Sequence, residues 1–323
     1  MLDGKGGMVW KLRDWQGGDP QAQAAHVRAL GLVWVSLKLL DGIDEEWDPL
    51  WVPKEKRNRA LAPEAIAALK EAGLRVAGWG WTYGGAYFLK AARLGFLPSA
   101  DRAQREGLKV GEIMERYDLD QWQVDAEREY RRGPDQARRA DAHGRGLKTT
   151  PAIRHSLCSY RFPLTHQPDF PVWSFAPYME HWSPQVYWLL DNRPLAGALQ
   201  LQEALRQYSL IRDLPLTPIA PTYPHAYRDG AGKTRLWTTR PGQLGAFFAA
   251  AKEIGCAGAG IWNIEQATAG QQEEWAGLKW DTGRGKASAR RAAASAPGRR
   301  PIGDRVKAIE EWLRPRGYRP PER

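Results

Sequence analysis

The 323-residue chain has only two cysteines, four methionines and six histidines. Cys158 and Cys256 form no disulfide framework and no C-x-x-C pair, so the expectation is two buried free thiols in a reducing compartment. His155, His166, His181 and His225 fall in no H-E-x-x-H or comparable spacing, which leaves no metal and no cofactor to expect. Ser156 and Ser159 lack the G-x-S-x-G elbow of a serine hydrolase. No G-x-G-x-x-G follows the first strand pattern, because Gly4 to Gly7 lie before it, which disfavours a dinucleotide-binding open sheet. Apolar runs never approach the ~20 residues of a membrane span. The first ten residues carry one lysine and several glycines but no apolar core of a secretory signal, so a role outside the cell would rest on another route of delivery.

One absence concerns charge. The net charge is +10, yet residues 282–323 hold 12 Lys/Arg against 4 Asp/Glu, so the first 281 residues carry only +2. A nucleic-acid partner is therefore not expected of the main body, which has no cationic excess for tracking phosphates. Residues 282–300 lack any large apolar side chain and read as a flexible basic linker. Residues 301–323 place Val306, Ile309 and Leu313 at helical spacing beside Trp312, which predicts a short basic amphipathic helix.

What residues 1–281 do contain is an alternation. Eight β-rich segments are predicted: Met8–Trp15, Val33–Leu39, Leu74–Trp81, Trp122–Glu127, Thr150–Ser156, Pro184–Trp188, Leu216–Thr222 and Ala257–Ile264. Between most of them lie Ala/Leu-rich stretches at helical spacing, Asp19–Leu30, Pro63–Ala72, Ala100–Arg116, Gly133–His143, Pro194–Tyr208 and Thr239–Ile254. Prolines 20 and 63 sit near expected helix starts, and Gly31, Gly73 and Gly255 stand between a helix and the next strand. Eight such alternations predict an α/β fold, the (β/α)8 TIM barrel.

In that architecture chemistry is built at the carboxyl ends of the strands. The fourth segment, Gln121-Trp-Gln-Val-Asp125-Ala-Glu127, ends in two acids at i and i+2, which a strand points to one face about 6.5–7 Å apart. The other strand ends supply Asp14; Lys38; Trp79, Trp81 and Tyr83; Tyr160 and Arg161; Gln185, Tyr187 and Trp188; Tyr223; and Trp262, Asn263 and Glu265. Aromatic faces beside carboxylates suit a sugar, whose C–H faces stack on rings while acids and amides bind its hydroxyls. Glycoside cleavage requires one protonated carboxyl as acid and a second group to stabilise or attack the oxocarbenium-like centre. Glu127 is the candidate acid and Asp125 its assistant, expected to stay ionised if Lys38, tyrosine or amide donors hold it. Asp14 is a candidate third carboxylate. The remaining strand-end residues are candidate substrate contacts. An unpaired Lys38 in an apolar strand calls for a carboxylate partner.

Several segments together resemble the glycoside-hydrolase-like (β/α)8 proteins of bacteria and phages related to the lysozymes of family 25, the peptidoglycan hydrolases. They are Trp34-Val-Ser-Leu-Lys38 with Asp41-Gly42, Gly78-Trp-Gly-Trp81-Thr-Tyr83-Gly84, Val124-Asp125-Ala-Glu127-x-Glu129-Tyr130, Ser159-Tyr160-Arg161-Phe-Pro163, Pro184-Gln185-Val-Tyr187-Trp188, Ile219-Ala-Pro221 and Gly260-Ile-Trp262-Asn263. The resemblance covers residues 8–268 and implies a glycan substrate such as peptidoglycan, with Glu127 as proton donor. Gly303-x-x-Val306-x-x-x-Glu310-x-x-Leu313-x-x-x-Gly317-Tyr318 is similar to the opening of a helical peptidoglycan-binding repeat, of which only a fragment is present. The reading from sequence is a cell-wall lytic glycosidase delivered by phage-type release or as part of a virion, its basic tail drawn to an anionic wall. The alternative is a non-catalytic barrel that binds glycan or serves as a structural part of a phage virion or cell surface.

Overall fold

A computed structural model describes residues 2–45, 47–84, 88–89, 94–95, 98–149 and 154–280. The predicted linker and C-terminal helix, and the start of the predicted fifth strand, lie outside these residues. Eight strands alternate with eight helices: β1 Gly4–Val9, α1 Pro20–Ala29, β2 Trp34–Asp41, α2 Asn58–Glu71, β3 Arg75–Thr82, α3 Ala100–Tyr117, β4 Gln121–Ala126, α4 Gln136–Leu147, β5 His155–Cys158, α5 Val172–Phe175, β6 His181–Trp182, α6 Ala196–Ile211, β7 Ile219–Pro221, α7 Gln243–Glu253, β8 Gly258–Trp262 and α8 Ala269–Gly277. The strands pair in parallel in the order β6-β5-β4-β3-β2-β1-β8-β7. Parallel bridges Trp182↔Leu216 and Gln185↔Ile219 join the two ends, so the sheet closes on itself. The fold is the (β/α)8 barrel that the alternation predicts.

The pleat sorts the side chains. On β4, Trp122, Val124 and Ala126 join the large core between sheet and helices, while the alternate positions Gln121, Gln123, Asp125 and Glu127 take the opposite, inner face. A second, smaller cluster containing Leu2, Met8, Trp34, Ala77, Trp79, Cys158 and Ile219 fills the barrel. Trp34 requires glycine around it: a Cβ on Gly6 would lie 2.0 Å from its ring, and one on Gly260 2.6 Å. This explains why the first strand is Gly4–Val9 and not Met8–Trp15. The glycines that look like a loop in sequence form the strand because other side chains occupy their space: Trp34 over Gly6, Ile264 over Gly7 and Val33 over Gly4. Residues 12–18 instead turn in two short 3-10 segments.

Other boundaries shift for local reasons. The start of α2 lies at Asn58, whose N–H donates to Asp48 Oδ2 at 2.8 Å, so Pro63 is inside the helix and not at its first turn. The paired part of β6 lies before Pro184, at His181–Trp182. Gly31, Gly73 and Gly255 all have positive φ, as expected of residues that stop a helix. Asp19 caps α1 by accepting from the N–H groups of Gln21 and Ala22. After β7 the chain makes an antiparallel hairpin, His225–Arg228 with Thr234–Trp237, before α7 begins. Both cysteines are buried and free. Among the described residues no helix is long and apolar enough to cross a membrane.

Candidate active site

Parallel register places Trp81, Asp125 and Cys158 side by side in one layer, with Glu127 one step nearer the mouth. Asp125 is enclosed by protein on most sides yet still touches solvent, as a group on the floor of a cleft does. The side-chain amide of Gln185, at the end of β6, donates to Asp125 Oδ1 at 2.9 Å and to Glu127 Oε1 at 3.0 Å. One amide from two strands along the barrel thus bridges the two acids.

Desolvation pushes both acids upward. Asp125 lies well above the ordinary carboxylate range because of burial first and the charge of Glu127 second, against a lowering pull from Lys38. Glu127 is raised by burial, opposed by the Gln185 hydrogen bond, and raised again by Glu129. Each acid feels the other and both are raised, so they titrate as a pair that favours holding a proton. Against burial and the charge of Glu127, Asp125 has the Gln185 amide and the through-space pull of Lys38, which itself faces Asp41 at 3.5 Å, the donors expected from the sequence to hold its ionised form. Among the described residues no lysine or arginine forms an ion pair with Glu127. Lys38 also lies 4.4 Å from the Trp47 ring and 5.2 Å from that of Trp79.

Aromatic side chains ring the pair. Trp81 stacks on Tyr83 with centroids 5.9 Å apart and 19° between planes. Its indole N–H donates to Glu129 Oε2 at 3.0 Å, and the Tyr83 hydroxyl donates to Asp41 Oδ1 at 2.9 Å. Trp79 is buried on the barrel floor, donating to the Val9 carbonyl and meeting Trp262 edge-on at 4.9 Å. Opposite, Tyr187 meets Tyr223 edge-on at 5.9 Å. Tyr160 is pushed up to about 12 by burial first and then by Glu127. These half-buried rings give the mouth its walls.

The structure does not gather every candidate there. Asp14 lies in the 3-10 turn after β1 with its side chain 51% exposed, ion-paired to Lys11 and Arg13. Trp188 is wholly buried against Phe247, its indole N–H donating to Gln243 Oε1, so it packs the sheet–helix core. Asn263 is buried at the end of β8 and donates to Glu265 Oε1. Glu265 also accepts from the N–H groups of Trp10 and Lys11, fastening the β8 end to the β1 end, and burial raises it to about 7. Trp10, half-buried and 6.5 Å from Trp262, belongs to this rim but is hidden in sequence inside the misplaced first strand. Gln123 continues the polar column below Asp125, its amide unpartnered; its place in Trp-Gln-Val-Asp at period two was the available signal. Among the described residues no His, Cys, Asp or Glu group is arranged to hold a metal.

No family model matches the chain, and no curated protein matches it in sequence. Solved structures do share its fold, a class of (β/α)8 barrels represented by glycan-cleaving enzymes. A chitinase from Chromobacterium violaceum aligns over 88% of this chain and 99% of its own, with TM-score 0.56 and 12% identity. An endo-1,4-beta-D-mannanase from Thermotoga petrophila aligns over 90% and 99%, with TM-score 0.56 and 10% identity. The spore cortex-lytic enzyme SleL of Bacillus megaterium aligns over 84% and 72%, with TM-score 0.51 and 10% identity. At these identities the likeness establishes the barrel.

Proposed function

We propose that the chain is a glycoside hydrolase of β-linked amino-sugar glycans, peptidoglycan among them, with Glu127 as proton donor and Asp125 as its partner. The observation that carries this is the desolvated Asp125–Glu127 pair bridged by Gln185. Such a pair keeps a proton where unperturbed acids would have lost it, and Glu127 at the strand tip is the member placed to deliver it. Chitinases and a cortex-lytic enzyme among the proteins of like fold agree with an amino-sugar substrate. The wall role and delivery by phage-type release remain parts of the same proposal.

The proton of the pair passes to the glycosidic oxygen through Glu127 as the bond to the anomeric carbon breaks. That carbon becomes positive just as the pair loses its proton and carries two negative charges. Two ionised carboxylates in one cleft are costly in the free enzyme and stabilised by the cation in the transition state, which is differential stabilisation. Gln185 limits the motion of both acids, and Trp81 and Tyr83 offer sugar faces a platform. Glu127, now ionised, then takes a proton from the water that completes hydrolysis.

The test is release of reducing sugar from purified peptidoglycan, and from chitin beside it, at pH 5 to 7. Glu127→Gln is expected to lower the rate at least ~100-fold, the lower end of general-acid contributions. Absence of hydrolysis by the unaltered protein, with binding to the same wall pellet retained, would leave a glycan-binding barrel in its place.

A further inference from the structure

Among the described residues, the mouth contains a cation without an anion. After β5 the backbone of Tyr160 bridges to Gln185, which puts the next residue, Arg161, on the rim of the same cleft. One Nη1 of Arg161 donates to the Tyr187 carbonyl, and the guanidinium lies 5.3 Å from the Phe162 ring. Its Nε is buried with no hydrogen-bond partner. Among the described residues no carboxylate pairs with it, whereas the neighbouring Arg128 has Glu129 at 2.9 Å. Burial pushes Arg161 below the usual arginine range, a sign of the cost of covering this charge. Tyr223 feels the charges of both Glu127 and Arg161, which places all three at the same mouth. Beyond Tyr223 the hairpin adds exposed Arg228, Lys233 and Arg235 against a single acid, Asp229.

We infer that Arg161 pairs with a carboxylate borne by the sugar chain, so that this mouth selects an acidic glycan over a neutral one. The inference rests on the glycan reading above and narrows it. With Nε covered and Nη1 on the Tyr187 carbonyl, the half-buried guanidinium keeps Nη2 without a partner among the described residues, and from there it can donate a charge-assisted hydrogen bond to a carboxylate. A neutral polymer such as chitin leaves that donor unpaired, and a site built for a polar group rejects the analogue lacking it. The carboxylate has two natural sources, a lactyl ether on the amino sugar, as in peptidoglycan strands, or a uronate alternating with it.

The experiment is calorimetric binding to the Glu127→Gln protein, which holds the substrate without cutting it. Three probes are used: peptide-free glycan strands of peptidoglycan, the same strands after chemical reduction of their carboxyls to alcohols, and hyaluronan oligosaccharides. At least one acidic probe is expected to bind tenfold or more tightly than the reduced strands, and the double variant Glu127→Gln/Arg161→Gln is expected to lose that preference. Which acidic probe wins distinguishes lactyl ether from uronate. Equal affinity for acidic and reduced strands, no binding of either acidic probe, or a preference that survives Arg161→Gln overturns the inference. The comparison of acidic and reduced strands on the Arg161-containing protein decides it even where the double variant fails to fold. Hydrolysis by the unaltered protein is scored separately: cleavage without acid preference sinks the role of Arg161 alone, and acid preference without cleavage sinks the glycosidase alone.

Discussion

Glu45 and Glu127 are both largely covered by protein, yet their proton affinities move in opposite directions. Burial alone raises Glu45, but hydrogen bonds and charge from Arg116 and Lys109 outweigh it and leave it below the usual carboxylate range. Its side chain, 10% exposed, lies 2.8 Å from Lys109 Nζ and 3.8 Å from Arg59 Nε, with Arg116 in contact. Glu127 receives one neutral amide and faces acids, so burial prevails and it is raised. Burial therefore supplies the cost in both places, and the partners set its sign. The surface knot ties the loop after β2 to α3. The mouth, among the described residues, gives Asp125 and Glu127 no ion-pair partner and so favours their protonated forms, the state from which a proton can be donated.

The widest separation of the two regions is expected in turnover. Glu127→Gln loses at least ~100-fold in hydrolysis, while Glu45→Gln retains the rate of the unaltered protein; equal losses in reducing-sugar assays would erase the distinction.

Next comes stability against pH, read at Glu265. Its folded value of about 7 exceeds the ordinary 4.5, so the folded state holds this proton more tightly than the unfolded chain does. Its contribution to stability is thus full below the unfolded value and declines as pH rises toward 7. Removing the titration with Glu265→Gln should make the variant gain on the unaltered protein between pH 4.5 and 7, by up to about 3 kcal/mol. Denaturant midpoints at both pH values measure it, and a constant difference across the window would contradict the raised value.

Charges beside the pair should move the pH profile without abolishing the rate. Glu129 raises Glu127 and Arg128 lowers it, and a general acid is lost as pH climbs through its pKa. Glu129→Gln should therefore shift the alkaline fall of kcat/KM to lower pH, and Arg128→Gln should shift it to higher pH. Two variants moving the same way would show that Glu127 does not own that limb.

The smallest effect is expected at the knot itself. Glu45→Gln should cost about 1 kcal/mol or less at neutral pH and low salt. Because Glu45 is lowered, that contribution exists above the unfolded value, fades as pH falls below it, and shrinks with salt. Thermal midpoints at two salt concentrations check this.

Much of this was visible in residue order. The count of eight alternations follows from hydrophobic periods and from glycines at helix ends, which act within a few residues of themselves. Asp125 and Glu127 share a face because a strand repeats every two residues, whatever surrounds it. The strand ends carrying Trp81, Tyr83, Gln185, Tyr187 and Tyr223 reach one rim because parallel strands all end on the same side. Other features needed the closed barrel. Gly4–Val9 became a strand because residues distant in sequence, Trp34 over Gly6 and Ile264 over Gly7, fill the space above its glycines. Trp188 turned into the sheet–helix core and Asp14 to the surface because the chain leaves regular strand geometry before each of them. The upward shift of the acids, the Gln185 bridge and the unpaired Arg161 also depend on residues tens of positions apart. Periodicity is a local property of the chain, and it determined the barrel and the direction of the paired acids. Desolvation and charge pairing are properties of what surrounds a group in space, so only the tertiary structure decided where the proton is held.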